Sequence, residues 1–267
     1  MSRPQVLDST FGDALRAEWT KLRTTPQAAW LVAAIAVLTP LAGAAMAAAV
    51  SPPTGELQDP ARISLTGVHV GQLLAAALAV AVIGGEHGTR MLTTTFTALP
   101  RRGGVLGAKA TLVVAAVLAA GTVGAAGSAL AGRALLPGNG FTPANGYATL
   151  LPVDGTTARA VLGTVVYLVL VALLGLGVAA LVRDPAAAVA TLLAVLYAFP
   201  LAANATTDPP LRRRLLQLSP MDAGLTVQDT IPHPDHLRPA AGLAVLAAWT
   251  AVALTAGAVA LLRRDAP

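Results

Sequence analysis

The sequence predicts an all-α polytopic membrane protein with six transmembrane helices, and three observations carry that expectation. Hydrophobic residues make up 55% of the 267 and charged residues only 12%, with a mean hydropathy of +0.67; a soluble domain carries roughly 25% charge. The apolar residues fall in unbroken runs of about twenty, the number that a helix rising ~1.5 Å per residue needs to cross ~30 Å of hydrocarbon. The charges collect at the ends of those runs. A pI near 10.4 and a net charge of +5 would otherwise point to nucleic acid, but aromatics are only 4% of the chain. The basic residues therefore read as bilayer anchors, with lipid as the partner and no nucleic acid. Cysteine is absent, which removes disulfides, thiolate metal sites and cysteine nucleophiles. Arg outnumbers Lys 16 to 2, a usage that resembles GC-rich actinobacterial chains and carries no functional weight.

Residues 1–29 form an N-terminal arm. Thr10 with Asp13 three residues on resembles a capping box, and Phe11, Leu15, Trp19 and Leu22 share one helical face, with Arg16 and Arg23 at its edge. This pattern predicts an amphipathic helix lying in the membrane interface. Glu18 projects close to the apolar side; it either reaches past Lys21 to water or pairs with another cytoplasmic segment.

The transmembrane domain, 30–262, holds spans at 30–50, 65–83, 105–131, 159–182, 186–203 and 240–262, followed by a short tail at 263–267. Pro40 should kink the first span, with Thr39 satisfying a freed carbonyl. Ala47, Ala48 and Ala49 could pass for a signal-peptidase site, but that run is longer than the ~7–15 apolar residues of a signal peptide, so it reads as a span. In the third span Ala116, Ala120, Gly124 and Ser128 make a small-residue ridge that permits close helix approach. In the loop at 204–239, Asp208 can cap a helix opened by Pro209, striped by Leu211, Leu215 and Leu218 and ended by Pro220. Its Arg212, Arg213 and Arg214 would face headgroups. His233, Pro234, Asp235 and His236 read as an irregular loop rather than a metal site, because the spacing is short and proline-rich.

Six spans put both termini on one side, where eleven of the Lys and Arg residues fall against seven on the other. Positive residues are retained in the cytoplasm, so both termini are expected inside a plasma membrane and 204–239 outside.

No acidic residue, Lys or His is expected deep within a span, which argues against a carrier driven by protons or ions. The most informative stretch is 84–104. Thr89 is a plausible N-cap and Pro100 a stop, bracketing a short helix with Leu92, Phe96 and Leu99 on one face. Such a helix either docks another protein or lies in the interface, anchored by basic residues. Lys109 reads as a snorkelling anchor. The Gly103 to Ala110 stretch lacks the spacing and the hydroxyl of a phosphate-binding loop.

The order Glu86, Gly88, Thr89, Arg90, a short helix, then Leu99, Pro100, Arg101, Arg102 and Lys109 resembles the loop between spans two and three of type-2, exporter-type permeases of ATP-binding-cassette (ABC) transporters. Glu18, Lys21, Leu22 and Arg23 resemble that family's entry helix. The resemblance implies a permease subunit that is not itself an enzyme and binds no cofactor. A separate ATPase, with its own ATP and magnesium, would supply the energy, and a second protomer, identical or related, would complete the path. It further implies a coupling segment at 84–104, with Glu86, Gly88, Thr89, Arg90, Leu92, Phe96, Arg101 and Arg102 contacting the ATPase. Glu18, Lys21 and Arg23 would add contacts from the N-terminal helix. The composition of the spans favours an apolar or amphipathic substrate. The rival readings are a six-span intramembrane enzyme and a non-transporting scaffold. An enzyme needs clustered catalytic groups, whereas His69, His87, His233 and His236 sit near span ends or in loops.

Overall fold

A computed structural model describes residues 11–52, 58–87, 102–148, 155–182 and 184–263. The architecture is all-α, with no strand among the described residues. The helices are α1 (Phe11–Thr24), α2 (Pro26–Ala49), α3 (Pro60–Ser64), α4 (Val68–His87), α5 (Arg102–Leu135), α6 (Gly155–Val182), α7 (Pro185–Ala205), α8 (Pro209–Leu218), α9 (Pro220–Leu225) and α10 (Pro239–Arg263). Proline opens α2, α3, α7, α8 and α9, where its missing N–H costs nothing and its fixed φ suits the first turn. Side-chain caps complete several of these starts. Asp59 accepts from Ala61 N at 3.0 Å, Asp184 from Ala187 N at 2.7 Å, and Ser219 from Asp222 N at 3.1 Å.

Six stretches are long and apolar enough to cross a bilayer: Pro26–Ala49, Pro60–Gly84, Leu106–Asn139, Gly155–Val182, Pro185–Ala205 and Pro239–Leu261. The second is not one helix, because α3 passes through a 3₁₀ turn at Leu65–Gly67 into α4. The bundle is centred on α6, 67% buried in its most apolar window, while α2 and α7 are 22% and α10 17% buried. α6 packs against α4, α5, α7 and α10, and α2 lies along α5. Tyr167, Leu168, Val171, Leu78, Val113, Leu192 and Leu246 fill the core. The peripheral helices turn large apolar side chains outward, including Trp30, Leu201 and Val252. Such a surface suits hydrocarbon, not water.

The small-residue ridge of α5 is the seam with α2. A β-carbon on Gly124 would lie 3.1 Å from Ile35 O, and Ser128 Oγ donates to Thr39 O at 3.3 Å. Thr39 departs from expectation. Its buried hydroxyl has no hydrogen-bond partner among the described residues and is turned toward Gly71 of α4, so it does not satisfy a carbonyl freed by Pro40.

The proximal end of the bundle carries α1, the end of α4 and the starts of α5 and α7. The distal end carries α3, the end of α2, α8 and α9. There the 204–239 segment is more than a loop. α8 lies exposed, as its leucine stripe and arginines led one to expect, although Asp208 stands at the N-cap without making a capping bond. α9 is buried against α10 and α6, bringing Gly224 against the Tyr167 ring and the Ala223 carbonyl against Gly242.

Candidate functional site

α1 meets the bundle through charge. The helix buries Ala14 and Glu18, with Leu15 and Leu22 beside them, while Phe11 and Trp19 remain exposed at the edges of the expected apolar face. Glu18 Oε2 lies 2.8 Å from Lys109 Nζ of α5, and Glu18 Oε1 lies 2.8 Å from Lys21 Nζ on the next turn of α1. The Lys109 ammonium also donates to Val82 O of α4 at 3.1 Å. That carbonyl sits toward the C-terminal end of α4, where the helix dipole favours a cation. One ammonium therefore joins three elements.

The side chains of Glu18 and Lys109 are only 6% and 5% exposed, whereas Lys21 is 36% exposed. Taking two ions out of water costs several kcal/mol each, and the arrangement persists because both carboxylate oxygens accept charge-assisted hydrogen bonds. Of the two readings of Glu18, pairing with another segment is the one observed. The snorkelling assigned to Lys109 is corrected: α1 lies over it, so its head is held inside the protein. A cavity of about 290 Å³ adjoins the junction, lined on one side by Lys21 and Thr25 and on the other by Ala81 and Leu112.

The other sequence-predicted site residues divide in two. Arg23 is exposed in the last turn of α1 and takes no part in the junction. Glu86 stands in the last turn of α4 and Arg102 at the first position of α5. Gly88, Thr89, Arg90, Leu92, Phe96 and Arg101 lie outside the described residues, as does the expected coupling helix. Thr10, the expected cap of α1, lies outside them too. The 88–101 stretch leaves α4 six residues after Val82 and rejoins α5 seven residues before Lys109. The junction therefore stands at its base.

Two further polar groupings escaped sequence reasoning. Inside the bundle, Tyr167 Oη donates to Gln72 Oε1, and Gln72 Nε2 donates to Tyr197 Oη at 2.9 Å and approaches Met221 Sδ at 3.4 Å. The available signal was Gln72 itself, a lone amide in an apolar run. At the distal end, Asp229 pairs with Arg62 Nη1 at 2.7 Å and His236 Nδ1 at 2.6 Å, while Arg159 Nη2 donates to Asp229 O at 2.6 Å. Asp59 accepts from Thr230 Oγ1 at 2.7 Å and from Ile231 N at 3.0 Å, tying the same loop to α3. His233 stacks on His236, and among the described residues no three His, Asp or Glu side chains gather as metal ligands.

An apolar surface around a six-span helical bundle whose middle holds neutral polar groups defines a polytopic integral membrane protein. No protein-family model matches the chain, and no curated protein matches it.

Proposed function

We propose that the chain is the membrane-spanning permease subunit of an ABC transporter, both termini cytoplasmic, exporting an apolar or amphipathic substrate with energy from a separate ATPase. The reading rests on the motif order at 84–104 and in α1. The observation that carries it furthest is the junction in which Lys109 binds Glu18 of α1 and Val82 O of α4. A segment that receives force from a docked ATPase must pass it on, and a flexible base would dissipate the displacement. The junction closes that base, so a push on 88–101 moves α1, α4 and α5 as one body. The translocation path then opens between this protomer and a second one.

The test is co-purification with a separate ATP-binding-cassette ATPase, with membrane abundance, partner pull-down and transport read on the same preparations. Leu92→Asp places a charge on the expected docking face and should abolish ATPase association at near-normal membrane levels. Glu86→Gln keeps the shape and should retain association with weakened transport. Normal association and export by Leu92→Asp would remove the coupling role of 84–104. An intramembrane enzyme or a scaffold would recruit no ATPase in the same pull-down.

A further inference from the structure

At the distal end, α3, the end of α7, α8, α9 and the 229–238 loop line an open cavity of about 210 Å³. That is far more than the ~10–15 Å³ needed by one water, so the space can take an organic group. Its wall is charged with both signs. Three of the titratable side chains there are already engaged: Arg62 and His236 with Asp229, and Asp235 with Arg213. Two are not. Among the described residues, neither Arg212 of α8 nor Asp222 of α9 has an ion-pair partner, although both line this one cavity.

Asp222 is held in place. Its Oδ2 accepts from Ser219 Oγ at 2.8 Å, and its own N–H donates back to that hydroxyl at 3.1 Å. Its other carboxylate oxygen makes no hydrogen bond within the described protein. Arg212 lines a second, adjoining cavity of about 350 Å³, and Asn204 borders both spaces. A guanidinium fork and an amide recognise phosphate or carboxylate oxygens, and a fixed carboxylate recognises a primary ammonium with N–H groups to give. Opposite charges that face one space without touching leave room between them for a molecule carrying both.

We propose that this cavity binds a small zwitterion, a primary ammonium joined to a phosphate or carboxylate, with the ammonium on Asp222 and the anionic group on Arg212 and Asn204. The proposal does not depend on an ATPase partner. The same chemistry is offered by a free solute and by the headgroup of an aminophospholipid, and the experiment separates them.

The purified chain in maltoside micelles is titrated calorimetrically with O-phosphoethanolamine and with phosphocholine, whose quaternary ammonium has no N–H. The expected result is saturable binding of O-phosphoethanolamine, about tenfold or more weaker for phosphocholine and for the Asp222→Asn and Arg212→Gln variants. Arg214→Gln, on the same helix but lining neither cavity, should leave binding unchanged. Unfolding midpoints and elution profiles are read on every variant, so lost binding is distinguished from lost fold. In the second arm, nanodiscs hold equal parts of phosphatidylethanolamine and phosphatidylcholine, and retained lipid is weighed by native mass spectrometry. Silence toward the soluble probe, with phosphatidylethanolamine enriched and that enrichment lost in Asp222→Asn and Arg212→Gln, assigns the site to a headgroup. Equal binding of phosphocholine, undiminished binding in both folded variants, or no binding in either arm overturns the proposal.

Discussion

The two ends of the bundle are fastened differently. At the proximal end, Glu18 and Lys109 are almost fully enclosed, and the attachment of α1 runs through them. At the distal end the ion pairs lie nearer water: Arg62 is 42% exposed against Asp229, and Arg213 and Asp235 are 55% and 51% exposed. Besides the hydrogen bonds between Asp59 and the 229–238 loop, close packing at glycines holds the distal end. Gly242 lies so close to the Ala223 carbonyl that a β-carbon there would overlap it, and Gly163 is packed as tightly against the Val227 side chain. The proximal junction therefore depends on charge balance, while the distal end depends on shape and carries its ion pairs on top.

The sharpest way to break that comparison is Lys109→Met. It leaves Glu18 buried with only the more exposed Lys21, and removing one partner of a buried pair costs about 3–5 kcal/mol. Thermal unfolding in micelles should fall accordingly, and hydrogen exchange should speed first in α1. The double variant Glu18→Gln with Lys109→Met should recover much of the loss, because it buries no lone charge. A double variant as unstable as the single one would mean that packing of the lysine stem, not charge, holds α1.

The distal counterpart is Gly242→Ala. The added methyl meets backbone, which cannot rotate away, and overpacking of this kind costs about 1–3 kcal/mol. The loss should appear as disturbance of α9 and α10, with α1 exchange unchanged. Disturbance of α1 as well would mean that the two ends are one cooperative unit.

Gln72→Leu comes next in size. It removes the acceptor of the Tyr167 hydroxyl and the donor to Tyr197, and polar contacts within a membrane average about 0.6 kcal/mol, with upper values near ~1.7. Adding Tyr167→Phe should restore part of the loss, since no buried hydroxyl is then stranded. If the single variant is silent, the cluster contributes nothing to bundle stability.

Much of the architecture was legible because hydrocarbon imposes a length. Six apolar runs gave six spans, most with ends a few residues from those observed, although the third, expected to end at 131, runs on to Asn139; Pro209 marked the start of α8 as expected. The α5 ridge was legible as well, since small residues four apart leave a groove that another helix must fill. What the sequence could not disclose was which side chain met which across helices. Glu18 and Lys109 are 91 positions apart, and each alone reads as an ordinary interfacial charge; only the fold of α1 over α5 turns them into a buried pair. Thr39 failed as a predicted carbonyl partner for a related reason, because its hydroxyl is turned across the seam toward Gly71 of a neighbouring helix. α9 was missed because six residues carry too little periodicity to signal burial.

The smallest expected effect belongs to the pair most exposed to water. Arg213 and Asp235 join α8 to the 229–238 loop, and each is about half exposed. Such pairs gain little Coulomb energy at high dielectric and lose side-chain entropy, so Arg213→Gln should cost only about 0.2–1 kcal/mol. Ionic strength gives an independent reading, because screening shortens to about 3 Å at 1 M salt and reaches exposed charges far more than enclosed ones. A double-mutant cycle on Arg213 and Asp235 should shrink toward zero as salt rises, while the cycle on Glu18 and Lys109 should hardly change. If the two cycles respond to salt alike, or Arg213→Gln destabilises as much as Lys109→Met, the contrast between a charge-fastened proximal end and a shape-fastened distal end does not hold.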